Sequence, residues 1–399
     1  MKYIILVGDG MADFPLAELG GRTPLEAAET PAIDYLATHG QLHTLKTVPD
    51  GLPPGSDVAN LSLLGYKPED YYTGRAPLEA ASLQVHLNEQ DIAYRCNLVT
   101  LVYGEGDRAT MIDYSAGHIS TEEARAIIAT LAEQLNGGGL DFYPGVSYRH
   151  LLVVGQEVED LVTVPPHDHT GADVSEYWRA YLHNPIFAPV VRRAAEILAH
   201  HPVNLARVAA GKQPANAIWL WGEGRAPILP TMKSRFGVTG ALISAVDLLK
   251  GIAVYAGMEV INVPGATGYL DTNYQGKAEA ALKALRDHDL VFVHVEAPDE
   301  AGHQGLINEK IQAIQDFDRQ IVGPIVKGLA GMDFRVVVTC DHFTPISLKT
   351  HAALPVPIAL FDSTAKGKGS GQTYSEKNAN AADSLLENGE EFFATLLNR

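Results

Sequence analysis

The sequence predicts an α/β protein with a parallel or mostly parallel sheet, helices on both faces, and a smaller α+β module inserted in the chain. Three short apolar runs of the kind that form buried strands lie far apart, at Tyr3–Val7, Leu290–Val295 and Val336–Val338. Beyond residue 215, strand-like runs alternate with stretches of helical spacing, as in βαβ units. We therefore expect a core of residues 1–75 and 215–399, with residues 76–214 as the inserted domain.

The core elements follow from apolar spacing and from turn residues. The helix near residue 56 has apolar side chains at Val58, Leu61 and Leu64. The other helices predicted for the core are 23–39, 241–249, 273–286, 310–329 and 378–397. The other strands predicted for it are 217–221, 257–263 and 355–361.

In the inserted domain, the predicted strands and helices follow one another without a regular βαβ alternation, as in an α+β module. Ser120 or Thr121 is expected to cap a helix that runs to Leu135. A second helix is predicted at 187–200, and the strands are predicted at 83–88, 93–102, 108–113 and 148–154.

The bulk composition excludes several classes of partner. The chain has 399 residues and a formal net charge of −18, which argues against nucleic acid or an anionic membrane as the main partner. Cys96 and Cys340 are the only cysteines, so neither a disulfide framework nor a thiolate metal cluster is expected. The first apolar run stops at Asp9, and the tract Gly240–Met258 contains charged residues. We expect a cytoplasmic protein, and its oligomeric state is not readable from the sequence.

Acidic and imidazole side chains follow the three buried runs. Asp9 follows the first run, Asp299 and His303 follow the second, and Asp341 and His342 follow the third, with His351 in the loop beyond. The carboxyl ends of parallel strands meet at one sheet edge, where ligands bind. Carboxylates gathered there would repel one another by several kcal/mol at an effective dielectric of ~20. One or two divalent cations would remove that cost, and carboxylate with imidazole suits such ions.

Ser56 lies at or just before a helix start, after the turn Pro53–Gly55. Its hydroxyl could cap the helix, which is the reading that the local sequence favours. It could also be a nucleophile whose phosphate ester is received by the free N–H groups of the helix. A two-metal site beside it would suit phosphoryl transfer.

These motifs resemble the alkaline phosphatase superfamily, and more closely the cofactor-independent phosphoglycerate mutases of the archaeal type. The similarity extends over essentially the whole chain. It is carried by Val7–Asp13, Pro53–Ser62, Ala297–His303, Asp341-His342 and Lys349–His351. The resemblance implies an alkaline-phosphatase-like three-layer α/β/α core with the inserted module as a lid and substrate domain.

The resemblance also implies roles for the candidate residues. One metal ion would be held by Asp299, His303 and His351, and the other by Asp9, Asp341, His342 and the nucleophile Ser56. Phosphate would pass from 3-phosphoglycerate to Ser56 and back to the 2-hydroxyl, while the lid excludes water. His118 resembles the acid–base histidine of the family. The candidates for holding the substrate's anionic groups are Arg149, Arg225 and Lys233.

The sequence leaves two points open, namely which molecule accepts the phosphate and which metal ion is bound. The same metal and serine motifs would fit a homoserine kinase-like phosphotransferase, a metal-dependent phosphatase or phosphodiesterase, or a binding protein on an inactive fold. The sequence has neither a Walker loop nor a kinase glycine-rich loop, which favours the mutase over the kinase. The nitrogen and oxygen ligands suit Mn²⁺, Co²⁺ or Zn²⁺ better than Mg²⁺, and the resemblance favours two Mn²⁺ ions.

Overall fold

The computed structural model describes residues 1–159 and 161–398. The chain divides into two compact units. Unit 1 consists of Met1–Tyr72 together with the chain from Ile228 onward, and unit 2 consists of Thr73–Pro227.

The strands are numbered in chain order. They are β1 (Lys2–Gly8), β2 (Gln41–Leu45), β3 (Ile92–Gly104), β4 (Arg108–Asp113), β5 (Leu140–Val146), β6 (Arg149–Val154), β7 (Ala217–Gly224), β8 (Gly240–Ile243), β9 (Glu259–Val260), β10 (Leu290–Val295), β11 (Phe334–Thr339), β12 (Val356–Asp362) and β13 (Leu385–Leu386).

The α-helices are numbered in the same way. They are α1 (Pro24–Ala27), α2 (Pro31–His39), α3 (Ser56–Leu63), α4 (Pro68–Tyr71), α5 (Arg75–Ser82), α6 (Thr121–Leu135), α7 (Ser175–His183), α8 (Phe187–His200), α9 (Pro202–Ala209), α10 (Met232–Phe236), α11 (Asp247–Tyr255), α12 (Tyr274–Ala284), α13 (Ala297–Gln304), α14 (Ile307–Phe317), α15 (Gly323–Gly328), α16 (Glu376–Ala381) and α17 (Gly389–Leu397). Short 3₁₀ helices lie at Ala17–Leu19 and Pro166–His169, and a π-helical turn lies at Asp318–Val322.

Unit 1 is built on an eight-stranded sheet in the order β13-β2-β12-β11-β1-β10-β8-β9. Strand β1 lies between β10 and β11 and is parallel to both, so that Ile4 pairs with Val291 on one side and Val336 on the other. Strand β12 is antiparallel to its neighbours β11 and β2. Every residue of β10 and β11 is buried, as expected for strands covered on both faces. The predicted α/β class with a mostly parallel central sheet is confirmed.

Some predicted elements of unit 1 differ from the structure. The tract predicted as a helix at 241–249 begins instead with β8, which pairs with β10, and α11 starts only at Asp247. A four-residue apolar run carries too little periodicity to separate a buried strand from a buried helix. The predicted C-terminal helix is divided into α16 and α17 by β13, which pairs with β2. No helix in the described residues has the length and apolar character needed to cross a membrane.

Unit 2 contains a five-stranded antiparallel sheet in which β3 pairs with β4, β6 and β7. The strand at 217–221 was predicted to belong to the core, and this assignment is wrong. As part of β7 it pairs with β3, with Leu220 opposite Cys96. An apolar run shows that a strand is buried but does not show which sheet receives it. The helices α6, α7 and α8 contribute apolar side chains to the core of this unit, among them Ile127, Trp178 and Val191.

The first and last residues of unit 2 lie side by side. The Thr73 hydroxyl donates a hydrogen bond to the carbonyl oxygen of Arg225 at 2.6 Å. A Cβ atom at Gly74 would lie 2.1 Å from the carbonyl oxygen of Glu223, and one at Gly224 would lie 2.0 Å from that of Thr73. Only glycine permits backbones to approach so closely.

Candidate metal centre

Three carboxylates meet at the carboxyl edge of the central strands of unit 1. Asp9 directly follows β1, Asp299 lies in the first turn of α13 after β10, and Asp341 follows β11. Because β1 lies between β10 and β11, the three strand ends are neighbours. The three residues are only 2%, 6% and 0% exposed, respectively. Uncompensated carboxylates at such burial are unfavourable, which indicates a site for cations.

The first group of possible ligands is Asp299, His303 and His351. The Nε2 atom of His303 lies 3.2 Å from Asp299 Oδ2, and that of His351 lies 3.5 Å from Asp299 Oδ1. The two Nε2 atoms are 2.9 Å apart. The carbonyl oxygen of Lys349 lies 3.0 Å from His303 Nδ1, and a carbonyl can only accept a hydrogen bond. Nδ1 therefore carries a proton, and Nε2 is the nitrogen that would bind a metal ion in exchange for its own proton.

The second group is Asp9, Asp341, His342 and Ser56. The Nε2 atom of His342 lies 3.5 Å from Asp9 Oδ1, 3.4 Å from Asp341 Oδ2 and 3.1 Å from Ser56 Oγ. Donor atoms of Asp9, Asp299 and His342 also lie within 4.8 Å of one another, which joins the two groups. The structure thus brings all the metal-site residues predicted from the sequence into one cluster.

Helix α3 presents the Ser56 hydroxyl to this cluster. The N-cap of α3 is Gly55, so Ser56 is the first helical residue and its hydroxyl is not the helix cap. Asn60, one turn further on, donates from Nδ2 to the Ser56 carbonyl at 2.8 Å and to Asp341 Oδ2 at 2.9 Å. The backbone N–H of Gly10 donates to the other oxygen of Asp341 at 3.1 Å. The serine and the carboxylate are therefore held by the same amide.

Thr344 connects the two groups of ligands from behind. Its Oγ1 lies 2.5 Å from Asp299 Oδ1 and 3.2 Å from His342 Nδ1. The threonine has one hydroxyl proton, which goes to the carboxylate, so it accepts a hydrogen bond from Nδ1–H of His342. This arrangement leaves the Nε2 lone pair of His342 facing the cluster. A Cβ atom at Gly10 would lie 2.3 Å from the threonine oxygen, and Gly10 has a φ of +57°, so this position requires glycine.

The electrostatics of the cluster favour cations. Burial, together with the charges of Asp341 and Asp299, raises the pKa of the Asp9 carboxyl well above its usual value. Burial also disfavours the Asp299 carboxylate, but hydrogen bonds from His303 and His351 outweigh it and hold the pKa of Asp299 well below its usual value. The hydrogen bond to Asp299 raises the pKa of His303 to about 9. The proton on His303 therefore occupies a place that a divalent cation would take, and binding should release it. A nearby cation would also remove the repulsion that raises the pKa of Asp9.

The residues also fit divalent ions by their chemistry. Asp9 Oδ1 is buried and has no hydrogen-bond partner among the described residues. The donors are carboxylate oxygens, imidazole nitrogens and one hydroxyl, a set suited to first-row divalent ions.

His294, the penultimate residue of β10, also faces the cluster but is not among the ligands predicted from the sequence. It is 0% exposed, and its Nε2 lies 3.1 Å from Asp9 Oδ2. Burial lowers the pKa of His294 to about 4, so the imidazole is neutral near pH 7. The only signal in the sequence was a histidine inside an otherwise apolar run.

In unit 2, the structure places His118 and Arg149 around one aromatic ring. The centroid of the Tyr148 ring lies 6.4 Å from that of the His118 ring and 5.6 Å from the guanidinium carbon of Arg149. Tyr114 packs edge-on against both Tyr148 and His118. These two predicted substrate-site residues are therefore brought together.

Further basic residues, which the sequence analysis did not select, lie nearby. The Arg95 guanidinium carbon lies 4.0 Å above the Trp221 ring, and the side chain pairs with Glu79 at 3.0 Å. A Cβ atom at Gly222 would lie 3.4 Å from Arg95 Cδ and 3.6 Å from Arg75 Cβ, so these two arginines flank the same glycine. Burial lowers the pKa of Arg95, and the charges of Arg75 and Arg149 lower it further.

His167 adds an imidazole to the same group, with its ring 5.4 Å from Trp221 and 6.1 Å from Tyr114. We call the set Arg75, Arg95, His118, Arg149 and His167 the basic cluster of unit 2.

Two of the predicted substrate residues lie elsewhere. Arg225 is paired with Glu157 at 2.8 Å and donates to the carbonyl oxygen of Glu89, so an acidic partner and a carbonyl already engage its guanidinium. Lys233 lies in α10, ahead of β8, and its charge acts on Asp289, which precedes β10. This is the amino edge of the sheet, whereas the metal ligands follow the carboxyl ends. Strands of six residues span about 20 Å, so within unit 1 Lys233 lies at the edge of the sheet opposite the candidate metal ligands.

The sheet, the carboxylates and imidazoles at its edge and the serine at the start of α3 define an α/β protein with a candidate centre for divalent metal ions. The comparisons with known proteins are more specific. The family profile described as 2,3-bisphosphoglycerate-independent phosphoglycerate mutase matches residues 37–204. The chain is 54% identical over 385 residues to the protein of that name from Methanosarcina barkeri, covering 95% of both chains.

Solved structures agree with this result. The PH0037 protein from Pyrococcus horikoshii superposes with a TM-score of 0.83 at 28% identity, covering 100% of this chain and 97% of that one. The cofactor-independent phosphoglycerate mutase from Thermoplasma acidophilum gives a TM-score of 0.66 at 28% identity, covering 100% and 99%. The chain therefore belongs to the archaeal-type 2,3-bisphosphoglycerate-independent phosphoglycerate mutases, a family of isomerases.

Proposed function

We propose that this chain interconverts 3-phosphoglycerate and 2-phosphoglycerate through a phosphoserine at Ser56. The observation that carries the proposal is the position of the Ser56 hydroxyl. It stands at the first residue of α3, 3.1 Å from His342 Nε2, within the cluster of carboxylates and imidazoles. A phosphate on this oxygen would face the free N–H groups of the first turn of α3.

Two divalent cations would complete the site. Asp299, His303 and His351 would hold one, and Asp9, Asp341 and His342 with Ser56 would hold the other. When bound, such ions neutralise phosphate charge and lower the pKa of a coordinated hydroxyl. The donor set and the family resemblance favour Mn²⁺, with Zn²⁺, Co²⁺ and Mg²⁺ as alternatives.

The proposed reaction consists of two phosphoryl transfers. In the first, Ser56 Oγ, which has lost its proton to solvent before the substrate binds, bonds to phosphorus while the bond between phosphorus and the 3-oxygen of the substrate breaks, and that oxygen takes up a proton. In the second, the 2-hydroxyl of the same glycerate loses its proton and bonds to phosphorus, and the bond to Ser56 Oγ breaks. His118 is the residue that we assign to these proton transfers on the glycerate oxygens, since an imidazole can both donate and accept a proton.

We assign the binding of the substrate's anionic groups to the basic cluster of unit 2. Arg149, Arg95 and Arg75 concentrate positive charge, and Glu79 is the acid paired with Arg95. An arginine can engage a carboxylate or phosphate through two parallel N–H bonds. In this proposal, unit 2 is also the lid that keeps water from the phosphoserine, because hydrolysis there would turn the mutase into a phosphatase.

The test is turnover of 3-phosphoglycerate by metal-stripped protein, with and without added Mn²⁺, followed by ³¹P NMR. Ser56→Ala should abolish isomerisation, whereas Ser62→Ala, in the same helix, should retain it because the Ser62 hydroxyl donates to the Thr47 carbonyl. We expect 2-phosphoglycerate with little free phosphate. Release of phosphate instead would indicate a phosphatase, and activity that survives in Ser56→Ala would contradict the phosphoserine route.

A further inference from the structure

We propose that His294 is a direct ligand of the ion held by Asp9 and Asp341. The inference rests on the metal-binding part of the proposed function and adds a residue to it. His294 belongs to β10, where it pairs with Val7 of β1, two residues before Asp9. Its side chain is completely buried, so any partner of its ring nitrogens must belong to the interior of unit 1.

The Nε2 atom of His294 faces the metal cluster without a conventional partner. It lies 3.1 Å from Asp9 Oδ2, yet it makes no aligned hydrogen bond to any described residue, and the same holds for Asp9 Oδ1. A buried polar atom without a partner is costly, and most such atoms in native proteins are satisfied by a group or an ion. His294 Nε2 and Asp9 Oδ1 are two such atoms, on side chains that lie next to each other at a cluster of carboxylates. They point to a cation that both residues bind.

The distances suit three ligands around one ion. Donor atoms of Asp9, His294 and Asp341 all lie within 4.8 Å of one another. Nitrogen and oxygen ligands bind first-row divalent ions at about 2.0–2.2 Å, so two ligands of one ion are separated by about 3–4 Å. The 3.1 Å between Nε2 and Asp9 Oδ2 falls in that range.

Ser244 supplies the support that a ligating histidine usually has. Its Oγ lies 3.4 Å from His294 Nδ1 and accepts a hydrogen bond from the backbone N–H of Val246 at 3.0 Å. In the tautomer that metal binding requires, Nδ1–H donates to this oxygen and Nε2 keeps its lone pair. Lys277, which is itself buried, donates to the carbonyl oxygen of His294 at 3.0 Å and fixes the backbone of the strand end.

The consequence is a site richer in nitrogen than the one derived from sequence. With His294, the ion beside Ser56 would have imidazoles from His294 and His342, as the other ion has from His303 and His351. Imidazole suits Zn²⁺, Co²⁺ and Mn²⁺ better than Mg²⁺. We therefore expect neither position to show a preference for Mg²⁺.

The experiment compares His294→Gln with His150→Gln in metal-stripped protein titrated with Co²⁺. His150 is a matched control, since it is also a buried strand histidine whose Nε2 lacks a partner among the described residues, but it belongs to unit 2. In His294→Gln we expect the affinity for one of the two ions to fall about tenfold or more, with a change in its visible absorption. His150→Gln should match the wild type. An unchanged affinity and spectrum in His294→Gln would overturn the proposal, and so would weaker binding with an unchanged spectrum, which would make His294 a positioning residue only.

A second measurement requires no substitution and therefore does not depend on the variant's folding. Wild-type protein labelled with ¹⁵N-histidine is loaded with ¹¹³Cd²⁺, and ¹¹³Cd–¹⁵N couplings identify the bound imidazoles. Coupling to His294 Nε2, in addition to His303, His342 and His351, supports the inference, and its absence contradicts it. Neither experiment contains phosphoglycerate, so a failure of mutase activity in protein that binds two ions would leave this assignment intact.

Discussion

Thr344→Val tests how far the metal centre depends on a residue that would not itself bind an ion. Valine has nearly the same shape as threonine but lacks the hydroxyl. The change would remove the donor to Asp299 Oδ1 at 2.5 Å and the acceptor at 3.2 Å from His342 Nδ1. Asp299 and His342 belong to different groups of proposed ligands, so we expect both ions to be affected.

The size of the effect follows from these two contacts. A hydrogen bond to a charged group contributes about 1.5–3 kcal/mol, and a tenfold change in a binding constant corresponds to about 1.4 kcal/mol. Without an acceptor for Nδ1–H, His342 also loses the contact that keeps the Nε2 lone pair toward the cluster. We expect the affinity for Mn²⁺ to fall about 10–100-fold, as for other residues that orient metal ligands.

The assay is isothermal titration of metal-stripped protein with Mn²⁺, beside Thr344→Ser as the control. Serine keeps the hydroxyl and should bind within a few-fold of the wild type. Near-ultraviolet circular dichroism checks that each variant is folded. If Thr344→Val binds both ions as tightly as the wild type, the reasoning that the hydroxyl fixes the His342 tautomer is refuted.

Three further changes test the electrostatics of the molecule. Burial raises the pKa of the Glu376 carboxyl to about 7. Above about pH 4.5 the unfolded state releases this proton, while the folded state keeps it up to about pH 7. The free energy of unfolding therefore falls as the pH rises through this range. Glu376→Gln should remove about 2 kcal/mol of that decline between pH 5 and 8 in urea unfolding. Lys310→Met should cost about 3–5 kcal/mol in the same assay, because it leaves the buried carboxylate of Asp13 without its partner at 2.8 Å. Arg149→Lys should lower kcat/KM for 3-phosphoglycerate about tenfold, since lysine cannot form two parallel bonds to one anionic group.

Each of these three changes has a matched control. For Glu376→Gln, both proteins are unfolded in EDTA so that no metal ion is bound. The empty metal-site residues then titrate in the same way in both proteins, and their contribution cancels in the difference between the two unfolding free energies. A parallel pH dependence in the two proteins would contradict the assignment. Lys310→Met combined with Asp13→Asn should recover part of the lost stability, and no recovery would argue against an unpaired charge as the cause. Arg225→Lys, at a pair with Glu157, should leave turnover unchanged.

The metal cluster could be predicted from sequence because it follows from the topology of a parallel sheet. Asp9, Asp299 and Asp341 each follow a buried strand, and strands that run in one direction deliver their ends to one edge. His303 follows Asp299 at a spacing of four residues and therefore shares its helix face. Ser56 was harder, because a serine after a Pro/Gly turn is equally typical of a helix cap. Only the structure shows that Gly55 occupies the cap position.

The remaining site residues depend on pairings that the sequence does not contain. His294 lies in a strand buried on both faces, where alternation gives no sign of a polar role. Arg95 lies beside Trp221 because β3 pairs with β7, and the sequence predicts these two strands for different domains. Lys233 is a different case, because a residue that precedes a parallel strand lies at its amino edge. That rule, applied to the sequence, places Lys233 at the edge of the sheet opposite the candidate metal ligands.

The closure of unit 2 on itself has a consequence for how such a chain can evolve. The Thr73 hydroxyl is hydrogen bonded to the Arg225 carbonyl oxygen, and Gly74 and Gly224 allow the backbone that enters unit 2 to contact the backbone that leaves it. A segment whose two ends meet can be deleted, duplicated or exchanged for another without stretching the chain that remains. All of the proposed metal ligands lie outside it, in Met1–Tyr72 and from Ile228 onward. In the proposed assignment, the residues that hold the metal ions and those that bind the substrate are therefore encoded in separate segments, and the substrate-binding segment can be exchanged by recombination at two points in the gene.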